Sequence, residues 1–171
     1  PQSFFYLFKL SFNEFPFHRL TVVSSNIPSV LEKGKIYQAK ITLRNDGWAV
    51  WVPKEYRLAY GYQTFEDFSP KGKGEAINFP YNHRAEISRV AYPGQTIEVN
   101  FNLLAPPQEG DYFFQFDGVK EGFEFFETNG NVPWIKRVAV VGCLEGGGEA
   151  DCNQKINTLD FSLWLKTYQK V

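Results

Sequence analysis

The stretch that decides the fold is IYQAKITLRNDGWAVW, residues 36–51. Its first part alternates between two sets of side chains, which are Tyr37, Ala39, Ile41 and Leu43 on one side and Ile36, Gln38, Lys40 and Thr42 on the other. A period of two residues places one set on a buried face and the other toward solvent, so this part predicts a β-strand. Asn-Asp-Gly ends the strand, and Trp51 follows. Because large aromatic side chains dominate sandwich cores, we predict that Trp51 is a buried plug between two sheets.

The rest of residues 18–141 repeats this pattern. Short segments rich in β-branched and aromatic residues are separated by Gly, Pro, Asn and Asp, at the intervals of ~8–12 residues that are typical of a β-sandwich. No helical periodicity precedes Asn157. The sequence therefore predicts an all-β fold, an antiparallel β-sandwich.

Composition narrows the classes of function. The chain has 171 residues, enough for one well-buried domain and an appendage. Its net charge of −1 provides no long-range field for binding nucleic acid. No apolar run approaches the ~20 residues of a membrane-spanning helix. The two cysteines, Cys143 and Cys152, could close a small loop in an oxidising compartment or stay free in a cytosol.

The N-terminal residues 1–17 form a separate arm. Tyr6, Phe8, Leu10 and Phe12 alternate with more polar positions, which predicts one further strand. Two interpretations remain open at this point. The strand covers an edge of its own sheet, or it is donated to a neighbouring molecule by β-augmentation.

The C-terminal part begins with a Gly-rich linker, residues 142–150, which is flexible by composition. Beyond it, Phe161, Trp164, Leu165 and Tyr168 occupy positions i, i+3, i+4 and i+7, which predicts one apolar stripe of a short α-helix. A single short helix is marginal alone, so the stripe is expected to pack on the sandwich, on a further helix or on a partner.

Several motifs in residues 20–141 occur in the order of a known family. They are Pro28, Gly34, the N-x-G-x-x-x-W of residues 45–51, Pro93, Gly94, Ala105, Pro106, Gly110, Tyr112, Phe126 and Gly130. This order resembles the Ig-like "next to breast cancer gene one" domain, also called the four-tryptophan domain. The resemblance implies an Ig-like sandwich that works as a binding or spacer module. We also expect positive φ at Gly47 and Gly94, and a tyrosine corner at Tyr112.

Residues 151–171 resemble a dockerin repeat, the calcium-loop-and-helix unit of secreted bacterial proteins. Asp151, Asn153, Lys155, Asn157 and Asp160 match loop positions 1, 3, 7, 9 and 12, while the Asp-Gly of positions 5 and 6 is absent. The resemblance implies a Ca²⁺ site, a weak one because the loop is two residues short and carries few charged ligands. The alternative is a loop without metal, in which Asn157 caps the helix and Asp160 lies at its N-terminus. It also implies an extracellular or cell-surface location.

Residues suited to catalysis are sparse. Glu121, Glu124 and Glu127 could suggest a glycosidase pair, but their position in or beside a strand favours solvent-facing charges. His18 and His83 are predicted to be surface or edge residues. No nucleophile elbow, zinc-protease motif, phosphate loop or CxxC occurs. We therefore expect no enzyme.

The aromatic side chains supply the candidate contact residues. Those in or near predicted loops or on the C-terminal stripe are Trp48, Tyr62, Tyr81, Trp134 and Trp164. The sequence thus predicts a non-catalytic extracellular module for protein binding or self-assembly, through the N-terminal strand or the C-terminal helix, or an accessory domain of a larger secreted or surface protein. Two alternatives stay open. A carbohydrate-binding or glycoside hydrolase accessory module would expose a row of aromatics, and an unrecognised hydrolase would show two convergent carboxylates in a cleft.

Overall fold

The strands are short, as the sequence predicts, and they follow one another closely. The computed structural model describes residues 17–65, 67 and 79–142. Its strands are Leu20–Ser25 (β1), Val30–Glu32 (β2), Ile36–Asn45 (β3), Tyr56–Thr64 (β4), His83–Glu86 (β5), Thr96–Leu104 (β6), Gly110–Lys120 (β7), Glu124–Phe125 (β8) and Trp134–Val141 (β9). A 3₁₀ turn, Phe126–Asn129, connects β8 to β9.

Two sheets form an Ig-like β-sandwich, which confirms the predicted fold class. One sheet has the order β1-β3-β6, and the other has the order β2-β9-β7-β4-β5 with β8 paired to β7. The pairs are antiparallel, as predicted, apart from β2 and β9, which run parallel. The short β2 therefore adds to the sheet opposite the one that β1 joins.

The core lies between the inner faces of the two sheets. Alternate residues of β3, including Ala39, Ile41 and Leu43, are buried there as their period of two predicts. Trp51 is 2% exposed and its ring centroid lies 5.8 Å from that of Phe126, so the predicted plug is confirmed. Among the described residues no hydrogen-bond partner reaches the indole Nε1 of Trp51.

Turn predictions had mixed outcomes. The Tyr112 hydroxyl donates to the carbonyl oxygen of Gln108 at 3.1 Å, which confirms the tyrosine corner, and Gly94 has φ +80°. The prediction of positive φ was wrong for Gly47. Glycine is needed there for space, because a Cβ would lie 2.5 Å from the carbonyl oxygen of Phe17.

A chain segment covers the outer face of the larger sheet. The backbone of residues 79–82 crosses β4 at Gly61, and a Cβ there would overlap the carbonyl oxygen of Pro80. Ala59, Phe79 and Tyr81 form a second apolar cluster under this crossing, with Val119 from β7. Both faces of β4 and β7 are therefore buried near the crossing, a feature that strand alternation alone does not predict.

The crossing leads to a first prediction. Gly61→Ala is expected to destabilise the fold by about 1–3 kcal/mol, because the added methyl meets backbone that can move only by leaving the sheet. Thermal and urea unfolding of the full chain measure the change. Gly34→Ala measures backbone strain alone, since nothing lies within 4 Å of its Cβ position but its φ of +68° costs any L side chain about 1–2 kcal/mol. Equal stability of Gly61→Ala and wild type would contradict the crossing.

Candidate functional site

A tight loop after β3 is fixed by a buried asparagine side chain. Asn45 is 0% exposed; its Nδ2 donates to the carbonyl oxygens of Ala49 at 2.7 Å and Ala91 at 3.0 Å. Its Oδ1 accepts the N–H of Gly47 at 3.1 Å. Side-chain hydrogen bonds of this kind replace a backbone ladder and hold the loop in one shape.

Beyond this loop the chain is extended and pairs briefly with residue 91. Trp51 and Ala91 exchange two backbone hydrogen bonds of 3.0 Å, and both side chains point into the core. Residues adjacent to an inward-pointing pair point outward. Val50, Val52 and Tyr92 accordingly face solvent, with exposed fractions of 37%, 37% and 57%.

The N-terminal end of the described chain joins the same surface. The carbonyl oxygen of Phe17 accepts the N–H groups of Trp48 at 3.1 Å and Ala49 at 3.0 Å. The side chains of Phe17 and Trp48 are 59% and 51% exposed. We call the set Phe17, Trp48, Val50, Val52 and Tyr92 the end patch. Contiguous exposed apolar groups are typical of interaction sites, whereas single ones are ordinary surface, so the relevant observation is that Val50 and Tyr92 are neighbours across the Trp51–Ala91 pair.

His18 lies beneath the end patch, so its predicted surface position was wrong. It is 1% exposed, and its ring stacks on Phe126 at 4.8 Å between centroids, with Phe17 edge-on at 4.7 Å. Its Nε2 lies 3.4 Å from Oε1 of Glu124. Burial lowers the pKa of His18, against an opposing effect of Glu124. His83 lies on the edge strand β5 and is partly exposed, as predicted.

Polar side chains on the outer face of β7 form a buried network. Asp117 is 0% exposed and accepts hydrogen bonds from the N–H of Glu127 at 2.8 Å and from Nδ2 of Asn131 at 2.6 Å. Oε2 of Glu127 accepts the Tyr81 hydroxyl at 3.2 Å, and Gln115 donates to that hydroxyl oxygen at 2.5 Å. The network joins β7 to the 3₁₀ turn and to the segment that crosses the sheet.

Both carboxyl groups of this network resist ionisation. Burial raises the pKa of Asp117 to about 7, although the hydrogen bonds from Glu127 and Asn131 oppose the rise. Burial also raises the pKa of Glu127, against the Tyr81 hydrogen bond. Perturbed carboxyl groups are frequent at active sites, but they also occur in structural networks. Here the hydrogen-bond partners belong to the protein itself.

The three glutamates are partly exposed, less than the prediction of solvent-facing charges implies. None of the three is exposed as a whole, and each has a specific partner. Glu127 binds Tyr81, Glu124 approaches His18, and Oε1 of Glu121 accepts Nε of Arg84 at 3.1 Å. The covered outer face of the sheet, rather than strand alternation, determines their surroundings.

A separate cleft of about 430 Å³ lies at the opposite end of β7 from Asp117. Its lining comprises Thr64, Phe65, Gln108, Glu109, Gly110, Asp111, Tyr112 and Arg137. Its charges are paired within the protein. The guanidinium of Arg137 lies 3.1 Å from Asp111 and above the ring of Phe65, at 5.6 Å from the centroid. Glu109 pairs with Lys33 at 2.8 Å.

The candidate aromatics predicted from the sequence do not meet at one site. Trp48 belongs to the end patch, whereas Tyr62 and Trp134 are half-buried against the main core. Tyr81 is 8% exposed in the second cluster. Trp164 and the calcium-loop residues Asp151, Asn153, Lys155, Asn157 and Asp160 lie outside the described residues, as does most of the N-terminal arm. Those predictions remain predictions.

The described ranges contain neither a metal-binding cluster nor a membrane-spanning helix. No group of three or more His, Cys, Asp and Glu side chains in them is placed to hold a metal ion. Within the same ranges, no helix has the length and hydropathy that a membrane span requires.

Comparison with known proteins identifies no family. No protein-family model matches the chain, and no curated protein matches it. Among solved structures it is similar to a CARDB domain from Pyrococcus furiosus, determined by NMR (TM-score 0.42, 15% identity, 75% of this chain and 97% of that one). A crystal structure of a CARDB domain from the same organism, in complex with di-metal ions, gives TM-score 0.45, 19% identity and coverages of 74% and 91%. For the sporulation control protein Spo0M from Bacillus subtilis the TM-score is 0.38 and the identity 12%, and the match covers 71% of this chain and 48% of that one. The fold assignment above rests on strand order and register, and these likenesses carry no inference about function.

Proposed function

We propose that this chain is a non-catalytic binding module that assembles through the end patch. The observation that carries the proposal is that exposed aromatic and aliphatic side chains lie on a loop whose backbone is held by buried side chains. Asn45 and Trp51 hold the loop in position, so presenting Trp48 and Tyr92 requires little ordering on binding. Trp and Tyr are also the residue types that contribute most at protein interfaces.

A second copy of this chain is the proposed partner. Residues 1–16 lead directly into Phe17, a member of the end patch, and they contain the alternating apolar positions Tyr6, Phe8, Leu10 and Phe12. The strand predicted for these residues would favour pairing between copies, because an extended apolar segment can add to the edge of another sheet. The extracellular or cell-surface location that the resemblance implies belongs to the same proposal.

The carbohydrate-binding alternative has less support from the described residues. It predicts a row of exposed aromatics, and three of the described candidates do not supply one, because Tyr62 and Trp134 pack against the core and Tyr81 lies in the second cluster. The exposed aromatics Trp48, Phe17 and Tyr92 of the end patch remain. A hydrolase needs two carboxyl groups free to act in a cleft. Asp117 and Glu127 are instead engaged with Asn131 and Tyr81.

The end patch is tested by self-association. We expect the full chain to form dimers or larger species, and Trp48→Ser/Tyr92→Ser to weaken association at least about tenfold, because truncating interface aromatics commonly costs ~2 kcal/mol or more. Sedimentation velocity over a wide range of protein concentration measures the change. Circular dichroism establishes that the variant remains folded.

Ile36→Ser is the matched control. Ile36 is 64% exposed and lies at the other end of β3 from Asn45, so the variant removes one exposed apolar side chain away from the end patch. Association should be unchanged in this variant. A wild-type chain that remains monomeric at every concentration, or equal weakening by both variants, would reject the proposal.

A further inference from the structure

We propose that His18 is a pH-sensitive latch that holds residues 17–19 against the sandwich, so that mild acid releases the N-terminal side of the end patch. The latch would regulate the end patch, and only this regulatory effect depends on the function proposed above. The latch itself depends on the surroundings of one imidazole ring. It is therefore testable whether or not the chain self-associates.

The ring is enclosed by aromatic groups that suit a neutral imidazole. It stacks on Phe126 with an interplanar angle of 16°, Phe17 lies edge-on, and the ring of Tyr56 lies 5.6 Å away. Within the described part of the chain, no hydrogen-bond partner reaches its buried Nδ1. A neutral ring leaves this nitrogen as an unpaired acceptor, which is a modest cost. Protonation makes it a buried cationic donor with no acceptor, which costs far more.

The charged and titratable neighbours do not remove this cost. Glu124 from β8 approaches the other nitrogen, Nε2, at 3.4 Å. Lys120 at the end of β7 opposes a positive charge on the ring. Tyr56 from β4 carries no charge in this pH range, because burial raises the pKa of its hydroxyl. Burial accordingly lowers the pKa of His18 despite the carboxylate of Glu124.

Among the described residues, few other contacts hold the segment that carries His18. Phe17 accepts two backbone hydrogen bonds, from Trp48 and Ala49, and Arg19 accepts one from Asp46. The regular pairing of β1 with β3 begins only at Leu20. Moving residues 17–19 into water hydrates the imidazolium without breaking the pairing of β1 with β3, which starts at Leu20. It also separates Phe17 from Trp48, which divides the end patch.

The direction of the pH effect follows from these contacts. A histidine with a lowered pKa in the closed state favours closure while it is neutral. Below the ordinary value of 6.5 the released state binds a proton more readily, so the opening equilibrium rises by up to about tenfold per pH unit until the closed state also protonates. Asp117 acts in the opposite sense, because its raised pKa favours the folded state in acid. Its titration therefore cannot imitate release.

Hydrogen exchange of the full chain tests the latch. We compare protection factors, corrected for the intrinsic effect of pH, at about pH 7.5 and about pH 5. Protection of the amides that bond Phe17 and Arg19 should fall about tenfold in acid. Amides within β3 and β6 should keep their protection. Equal loss throughout the sheets would indicate global acid unfolding and would overturn the latch.

Two variants separate the two histidines. His18→Phe keeps an aromatic ring in the stack and cannot protonate, so its protection should be independent of pH over this range. His83→Phe, at the ring that stacks on Tyr60 at 4.9 Å, should behave as wild type. Should His18→Phe fail to fold, NMR titration of the wild-type imidazole decides the matter. A pKa at or above 6.5, or acid-induced release that persists in His18→Phe, overturns the proposal.

Discussion

Phe126→Ala is expected to lower the free energy of unfolding by about 3–5 kcal/mol, which is a large fraction of the ~5–15 kcal/mol that stabilises an ordinary domain. Phe126 is 2% exposed although it begins a 3₁₀ turn, and its ring contacts His18, Trp51 and Tyr56. Removing it leaves a cavity where the 3₁₀ turn enters the main core. Urea unfolding followed by circular dichroism measures the loss.

The position of the Phe126 ring depends on a glycine in the central strand. A Cβ at Gly118 would overlap ring carbons of Phe126, which cannot move away because the ring is fully enclosed. Gly118→Ala should therefore destabilise by about 1–3 kcal/mol. The double variant Gly118→Ala/Phe126→Leu should be less destabilised than the sum of its single variants, with a coupling of about 0.5–3 kcal/mol.

Phe123→Ala serves as the control for removal of a phenyl ring in the same region. Phe123 is 74% exposed, so its loss should change stability by at most about 0.5 kcal/mol. Strict additivity in the Gly118 and Phe126 double variant would show that the ring does not lie over Gly118. A Phe126→Ala cost as small as that of Phe123→Ala would show that the 3₁₀ turn does not anchor the core.

The parts of this fold that could be predicted are those that local patterns determine. The alternation of residues 36–45 predicted β3 and its buried face, and Trp51 is the predicted plug. The tyrosine corner at Tyr112 was predictable because the Gly-Asp-Tyr order opens a strand. Each of these features depends on residues close together in sequence or on the period of a strand.

The parts that could not be predicted depend on segments that meet from a distance. Gln115 and Asp117 occupy outward positions of β7, which normally indicates solvent, yet the crossing at residues 79–82 and the 3₁₀ turn bury them. His18 is buried for the same reason, since Phe126 reaches it from far along the chain. One signal was available. Gly61 inside a strand indicates close approach of another backbone.

The stability of the protein should depend on the ionisation of Asp117. Its carboxyl group has a pKa of about 7 when folded, against an ordinary value of 3.8. The folded state therefore favours the protonated acid, and this contribution is present below pH 3.8 and decreases as pH rises toward 7. Between about pH 5 and about pH 7 the free energy of unfolding falls by about 1.4 kcal/mol per pH unit. The contribution of Asp117 should thus be about 2–3 kcal/mol smaller at about pH 8 than at about pH 5.

Asp117→Asn isolates this effect, because the variant keeps the shape and cannot ionise. At about pH 5 it should be less stable than wild type by about 1–3 kcal/mol, since its amide N–H₂ faces one of the donors that the carboxyl accepts, Asn131 or the N–H of Glu127. Toward about pH 8 the difference should vanish or reverse as the buried carboxylate of the wild type becomes the greater cost. The contribution of His18 is common to both proteins and cancels in the difference. Asp111→Asn, on the same strand but 46% exposed and paired with Arg137, is the control for loss of a surface carboxylate and should change stability by about 1 kcal/mol at most. Parallel curves for wild type and Asp117→Asn would mean that Asp117 is already ionised in the folded protein at about pH 5.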